Sequence, residues 1–227
     1  MIMDYIPLII ILLSISGAIF VVVYKRRKNM ALLRTVTTPF RGTWSERKLI
    51  IKLLKMGIPP ITIYHDLYVE KENGGYSQID AVVVTKVGIL VFEIKDYSGW
   101  IFGKGNQNYW TQVLAYGKEK HRFYNPVLQN AVHVDTLRKR LSEVANVPFY
   151  SIIVFYGRCR LRNVNYIPKG TYIIYPNDVK SIIDSIMSNS LHGNYIDKRG
   201  VINILRNCVE NGNNSEVIRR HISDMKN

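Results

Sequence analysis

Residues 77–100, SQIDAVVVTKVGILVFEIKDYSGW, set Asp80, Glu93 and Lys95 into two runs of β-branched and aromatic residues that otherwise read as the driest part of the chain. Both runs have strand composition, and the short Lys86-Val87-Gly88 break between them makes a hairpin. Side chains alternate along a strand, so Glu93 and Lys95 point to the same side. The turn decides where Asp80 lies. A two-residue loop at 86–87 sets Asp80 opposite Glu93, and one at 87–88 sets it opposite Lys95; a three-residue loop would set it opposite Ile94 and disperse the three.

If the three gather, the chemistry is constrained. Two carboxylates about 5 Å apart on a partly buried surface repel each other and resist desolvation unless a cation lies between them. A hard divalent ion such as Mg²⁺ suits two oxygen donors and retained waters. Lys95 beside it would orient or deprotonate a water, or balance a phosphate, and metal, ammonium and phosphate together describe phosphodiester hydrolysis.

Upstream, TWSERKLIIKLLKMG (residues 43–57) reads as a helix with Thr43 and Glu46 as a T-x-x-E capping box, Ile50, Leu53 and Leu54 at helical spacing, and Gly57 at its end. Glu46 then faces inward, in line with Ile50 and Leu53. ITIYHDLYVE pairs with YSQIDAVVVT across the Asn73-Gly74 turn, so that with GILVFEIKD three antiparallel strands follow the helix. WIFGKGNQNYW reads as a hairpin loop with Trp100 and Trp110 as anchors, and YWTQVLAYGKEKHRFY as a further short strand and turn.

Asn125-Pro126 opens a second helix, cap then proline, with Val127, Val134, Leu137 and Leu141 on one face and Gln129 and His133 on another. On that face His133 reads as a polar surface or packing residue. FYSIIVFYG and GTYIIYP are strands, NDVKSIIDSIMS is a helix capped by Asn177, and residues 190–227 are polar and Asn-rich, one marginal helix and a loose end.

Tyr5 to Tyr24 is free of charge; a helix of about 20 residues spans roughly 30 Å, a bilayer core. Asp4 precedes it and Lys25-Arg26-Arg27-Lys28 follows, the reverse of a secretory signal. The basic cluster places the expected anchor in the cell membrane as a single pass, with the N-terminus outside and the rest cytoplasmic. The whole chain carries +14, and +11 remains once the first 28 residues are set aside, which favours an anionic partner such as nucleic acid or a lipid surface. Cys159 and Cys208 stand far apart with no metal-binding spacing, as free thiols in a reducing compartment.

The order Glu46 on a helix, Ile79-Asp80, then Glu93-Ile94-Lys95 on the next strand resembles the PD-(D/E)XK nuclease core. The stretch from RGTWSERKL through SQIDAVVVTKVGILVFEIKDYSGWIFG, Trp110 and YNPVLQNAVH resembles more closely the NERD (nuclease-related) domain, over residues 41 to about 140 and more loosely to about 185. The proline that precedes the aspartate in the superfamily motif is replaced by Ile79.

The resemblance implies an α/β fold: a PD-(D/E)XK-like core with a mixed central β-sheet flanked by helices, here preceded by one N-terminal transmembrane helix. It implies Mg²⁺ (or Mn²⁺) held by Asp80, Glu93 and the carbonyl of Ile94, Lys95 in the catalytic role, and Glu46 and Gln129 in the site. Four regions are expected: residues 1–28, membrane helix with basic flank; 29–40, linker; 41–188, nuclease-like domain; 189–227, polar extension. The expected function is hydrolysis of phosphodiester bonds of nucleic acid, DNA before RNA. The alternative is a non-catalytic, membrane-tethered binding or adaptor module on the same fold.

Overall fold

The chain enters through α1 (Ile6–Leu33), a 28-residue helix that runs on through the basic cluster without a break. The computed structural model describes residues 6–72 and 74–224, without the side chains of residues 6–12. Among the described residues no helix is long and apolar enough to cross a membrane. The expected span thus finds no support there, and its first residue, Tyr5, lies outside the described residues, as does Asn73 of the expected turn. Part of the expected linker is helical. Residues 29–33 are helical, and Leu33, 1% exposed, packs with Leu49, Leu53 and Ile183, because an apolar residue at the end of a helix is cheaper to bury than to hydrate.

Helix α2 (Trp44–Lys55) begins as its capping box requires: the Thr43 hydroxyl accepts the Glu46 backbone N–H at 3.4 Å. Strands β1 (Ile63–Glu70), β2 (Tyr76–Thr85) and β3 (Gly88–Asp96) form the antiparallel meander. The chain then leaves this sheet for β4 (Gly99–Lys104), β5 (Tyr109–Leu114) and β6 (Glu119–Tyr124). Helix α3 (Pro126–Leu141) is capped by Asn125, whose side chain accepts the Val127 N–H at 2.9 Å. After β7 (Ala145–Asn146), β8 (Phe149–Tyr156) returns to the first sheet and β9 (Cys159–Asn165) to the second. Strand β10 (Thr171–Ile174), α4 (Val179–Asn189), β11 (Asn194–Tyr195), α5 (Lys198–Asn211) and α6 (Ser215–Asp224) complete the chain.

The main sheet is mixed, in the order β1-β2-β3-β8-β10, with β8 parallel to both its neighbours. Helices α2 and α4, with the end of α1, cover one face over Leu90, Phe92, Ile152 and Val154. Helices α3 and α5 cover the other over Leu67, Ile79, Val82 and Val91. The fold is therefore mixed α/β with a mixed central sheet flanked by helices. A second sheet, β6-β5-β4-β9, packs Ile101 and Trp110 against Ile153 and Phe155.

Two local expectations change. Asn177 does not cap α4: residues Pro176–Asp178 form a turn of 3₁₀ helix, within which the Tyr175 N–H bonds the Asp178 carboxylate at 3.3 Å. Nor is the C-terminal region loose. Val201, Leu205 and Cys208 of α5 are buried on the main sheet, at the spacing of one helical face.

Candidate active site

The β2–β3 turn is the two-residue one, Lys86-Val87, with Thr85 paired to Gly88 and the ladder running to Ala81 opposite Phe92. One step further that register faces Asp80 with Glu93, the first of the expected alternatives. There the strands fork. Asp80 Oδ2, not a backbone carbonyl, accepts the Ile94 N–H at 2.6 Å. The cause lies partly in β1, where Asp66 takes the left-handed region at φ 56. Ile63 faces α2 while Leu67 and Val69 face α5, and β2 turns over in step, with Ala81 on the first side and Ile79 on the second. Asp80 occupies that reversal, between the two cores.

Glu93 and Lys95 point toward α3, as alternation requires. Lys95 Nζ stands 2.7 Å from Glu93 Oε1 and donates to Gln129 Oε1 at 2.9 Å. His133, one helical turn beyond Gln129, is buried; its Nε2 lies 3.2 Å from Glu93 Oε2 and its Nδ1 is 2.7 Å from Ser77 Oγ. The Nε2 contact is off the line of a good hydrogen bond, so Glu93 Oε2 and His133 Nε2 are both buried without one. Glu46 reaches in from α2 on the opposite side. The Thr43 hydroxyl donates to its Oε1 at 2.7 Å, and His65 Nε2 lies 3.2 Å from its Oε2. Gly42, at φ +65, lets the chain pass this pair, since a Cβ there would collide with Glu46 Oε2 and with the His65 ring.

Electrostatics separates the acids. Burial, then the charges of Glu93 and Glu46, hold the Asp80 carboxyl well above the usual carboxylate range. Burial also works against charge on Glu93, yet His133 and Lys95 outweigh it and bring that carboxyl below its usual value. Glu46 is lowered too: its bonds from His65 and Thr43 overcome the effect of burial. Lys95 is disfavoured by burial but raised by Glu93 beside it.

Of the expected site residues, Glu93, Lys95 and Gln129 are in direct contact, Ile94 joins them through its backbone to Asp80, and Glu46 acts on Asp80 electrostatically from α2. His133 and Ser77 were not anticipated in the site. The available signal was that Gln129 and His133 share a face at i, i+4.

Among the described residues no group of three or more His, Cys, Asp or Glu side chains is arranged to hold a metal ion. Two features of the carboxylates bear on whether a divalent cation could be held beside them. Glu93 has a buried oxygen without a hydrogen bond, and burial with the charges of Glu93 and Glu46 opposes ionisation of Asp80, an opposition that a cation would relieve.

The NERD model, described as a nuclease-related domain, matches residues 41–156. An uncharacterized protein of Bacillus anthracis is 30% identical over 146 residues, 64% of this chain and 67% of that protein. No solved structure matches. The matched segment runs from the residue before Gly42 to the end of β8 and holds Glu46, Asp80, Glu93, Lys95 and Gln129 together, and on this agreement the chain belongs to the nuclease-related domain family.

Proposed function

We propose that this chain is a metal-dependent nuclease that hydrolyses phosphodiester bonds of nucleic acid, with DNA taken before RNA. The observation that carries the reading is Asp80 at the fork of β2 and β3: a carboxyl whose ionisation is opposed by two further acids and which accepts the N–H of Ile94, the residue before Lys95. Asp80, Glu93 and the Ile94 carbonyl would hold Mg²⁺ or Mn²⁺, which when bound supplies charge neutralisation on phosphate and acidifies a water.

The chain's own residues do the rest. His133, set against Ser77, fixes the Glu93 side chain from behind. Gln129 holds the Lys95 ammonium at the strand end, where it would orient a water or take up charge on the phosphate. Glu46 supplies a further carboxylate from α2.

The anchor belongs to the same proposal. Leu13, Ile19, Phe20 and Val22 of α1 are exposed, contacting no core, and Lys25–Lys28 follow them, which supports a membrane-associated chain with its nuclease-like domain on the cytoplasmic side.

The test uses the full chain with DNA and with RNA, in Mg²⁺, Mn²⁺ or chelator, beside Lys95→Ala and Asp80→Ala. Cutting should vanish with chelator and fall at least about 100-fold in each variant; cutting that survives both substitutions refutes the roles.

One observation favours a second reading. Lys95 and His133 already flank Glu93, so that one carboxylate is balanced within the protein. A non-catalytic, membrane-tethered binding or adaptor module would then show salt-sensitive binding indifferent to metal and to Lys95→Ala.

A further inference from the structure

We propose that the outer face of the β6-β5-β4-β9 sheet is a platform for single-stranded nucleic acid, laid beside the Lys95 strand end. The proposal rests on the nucleic-acid reading above and deepens it by naming the substrate class.

The inner face of this sheet is spoken for: Ile101, Trp110 and Cys159 pack on Ile153 and Phe155, and Gly103 leaves room for the Trp110 ring, which a Cβ would enter. Alternation sends the residues between them outward. Register then arranges them in rows across the four strands. Arg122 pairs with Thr111, Thr111 with Phe102, and Phe102 with Arg162; two residues back along the same β4 and β9, Trp100 pairs with Arg160. Arginines thus occupy both edge strands, with Trp100 and Phe102 of β4 and Tyr109 of β5 between them and Tyr124 beside Arg122 on β6; Arg122 and Arg162 stand about 14 Å apart over three strand spacings.

Among the described residues of these strands, no acid lies on this face. The four strands hold Lys104, Lys120, Arg122, Arg160 and Arg162 against Glu119 alone, and Glu119 alternates with Lys120 onto the other side. The rings are open to solvent. Tyr109 is 50% exposed, Tyr124 47% and Trp100 37%. Two are already posed: the Arg122 guanidinium lies 4.7 Å over the Tyr109 ring, and Tyr109 meets Tyr124 edge-on at 6.2 Å.

Exposed rings between two basic rails suit unstacked bases with their phosphates running alongside. A duplex hides the faces of its bases, whereas a single strand offers flat rings to stack on these aromatic faces. The platform is also in the right place. Strand β3 passes from Lys95 through Tyr97 into β4, and β8 passes into β9 over the same edge.

The experiment measures anisotropy of a labelled oligonucleotide of mixed sequence, as single-stranded DNA, single-stranded RNA and the matching DNA duplex, with the full chain in chelator so that no cleavage intervenes. Either single strand should bind at least about tenfold more tightly than the duplex. Arg122→Ala with Arg162→Ala should weaken binding about tenfold or more and reduce the salt slope by about 1.4, at 0.7 per phosphate contact. Tyr109→Ala should weaken it about tenfold with the slope unchanged. Lys180→Ala, a cation on α4, should change neither, and thermal melts confirm that each variant folds. Preference for duplex, absence of binding, indifference to these variants, or a larger effect of Arg122→Ala and Arg162→Ala on anionic vesicles would each overturn the platform. Because no metal is present, a chain that binds single strands but never cuts fails the nuclease reading and leaves this one standing.

Discussion

His133 Nε2 faces Glu93 Oε2 across 3.2 Å, both side chains buried, with Ser77 holding the far nitrogen of the ring. The imidazole is therefore the only polar group on that side of Glu93 among the described contacts, and Lys95 covers the other oxygen. Removing the ring leaves a buried carboxylate half attended, which costs about 3 kcal/mol in comparable cases. His133→Leu should lower stability by that order in urea unfolding, while His133→Gln, whose amide offers Glu93 an N–H, should recover part of it. Equal stability of all three proteins would show that Glu93 is better hydrated than its burial implies.

Asp80 offers a pH test whose sign is fixed. A carboxyl with a raised folded pKa binds its proton more tightly folded than unfolded, so its contribution to stability is complete below the unfolded value and is lost as pH rises toward the folded one. Glu93 and Glu46, both lowered, behave in the opposite way, contributing above their unfolded values and losing that as pH falls. Asp80→Asn keeps an acceptor for Ile94 and removes only the charge. The variant should therefore gain on the natural chain as pH climbs from about 4 to 7, reaching on the order of 1–2 kcal/mol without metal. Added Mn²⁺ should raise the melting temperature of the natural chain alone.

Gln129 acts through Lys95. Its Oε1 accepts the ammonium at 2.9 Å, so Gln129→Leu frees Nζ to swing while Glu93 keeps its partner. In a cleaving protein this should reduce kcat about 10- to 100-fold with KM changed less than twofold, the pattern of a lost position and not a lost contact with substrate. A rise in KM at constant kcat would instead place Gln129 in direct contact with the nucleic acid.

These residues differ in how visible they were beforehand. Thr43 and Asn125 announce their helices because a cap is a local bond, satisfied within three residues of its own position. The strand runs around Asp80 and Glu93 were equally plain, and the two-residue turn was one of the registers that gather the acids. The fork was hidden, because it depends on a left-handed aspartate one strand away, and no pattern in residues 77–96 encodes the φ of Asp66. Strand β9 was missed for another reason. Its sequence, CRLRNVN, buries only Cys159, and it is held by its ladder with β4, whereas apolar alternation reports buried faces alone. The burial of α5 was masked by its asparagines, although Val201, Leu205 and Cys208 already lie on one helical face.

Arg41 shows what that last omission concealed. It stands before α2, and its guanidinium bonds two distant parts of the chain: Nε bonds Asp66 Oδ2 at 2.9 Å, Nη2 bonds the Asp66 carbonyl at 2.8 Å and the Val209 carbonyl at 2.5 Å, and Nη1 reaches Asn213 Oδ1 at 3.1 Å. Gln78 occupies the remaining Asp66 oxygen at 2.7 Å. The end of α5 is thereby tied to the left-handed residue that sets the fork at Asp80. Arg41→Ala should cost about 3 kcal/mol, since it strips a part-buried carboxylate of its partner and frees two carbonyls. Arg41→Lys should rescue little of this, because an ammonium cannot match the planar fork that meets side chain and backbone at once. Hydrogen exchange should then rise first in α5 and β1. If the fork depends on this brace, Mn²⁺ should also protect the variant less than the natural chain. A variant that loses protection in α5 alone, with Mn²⁺ protection intact, would show that Asp66 keeps its conformation unaided.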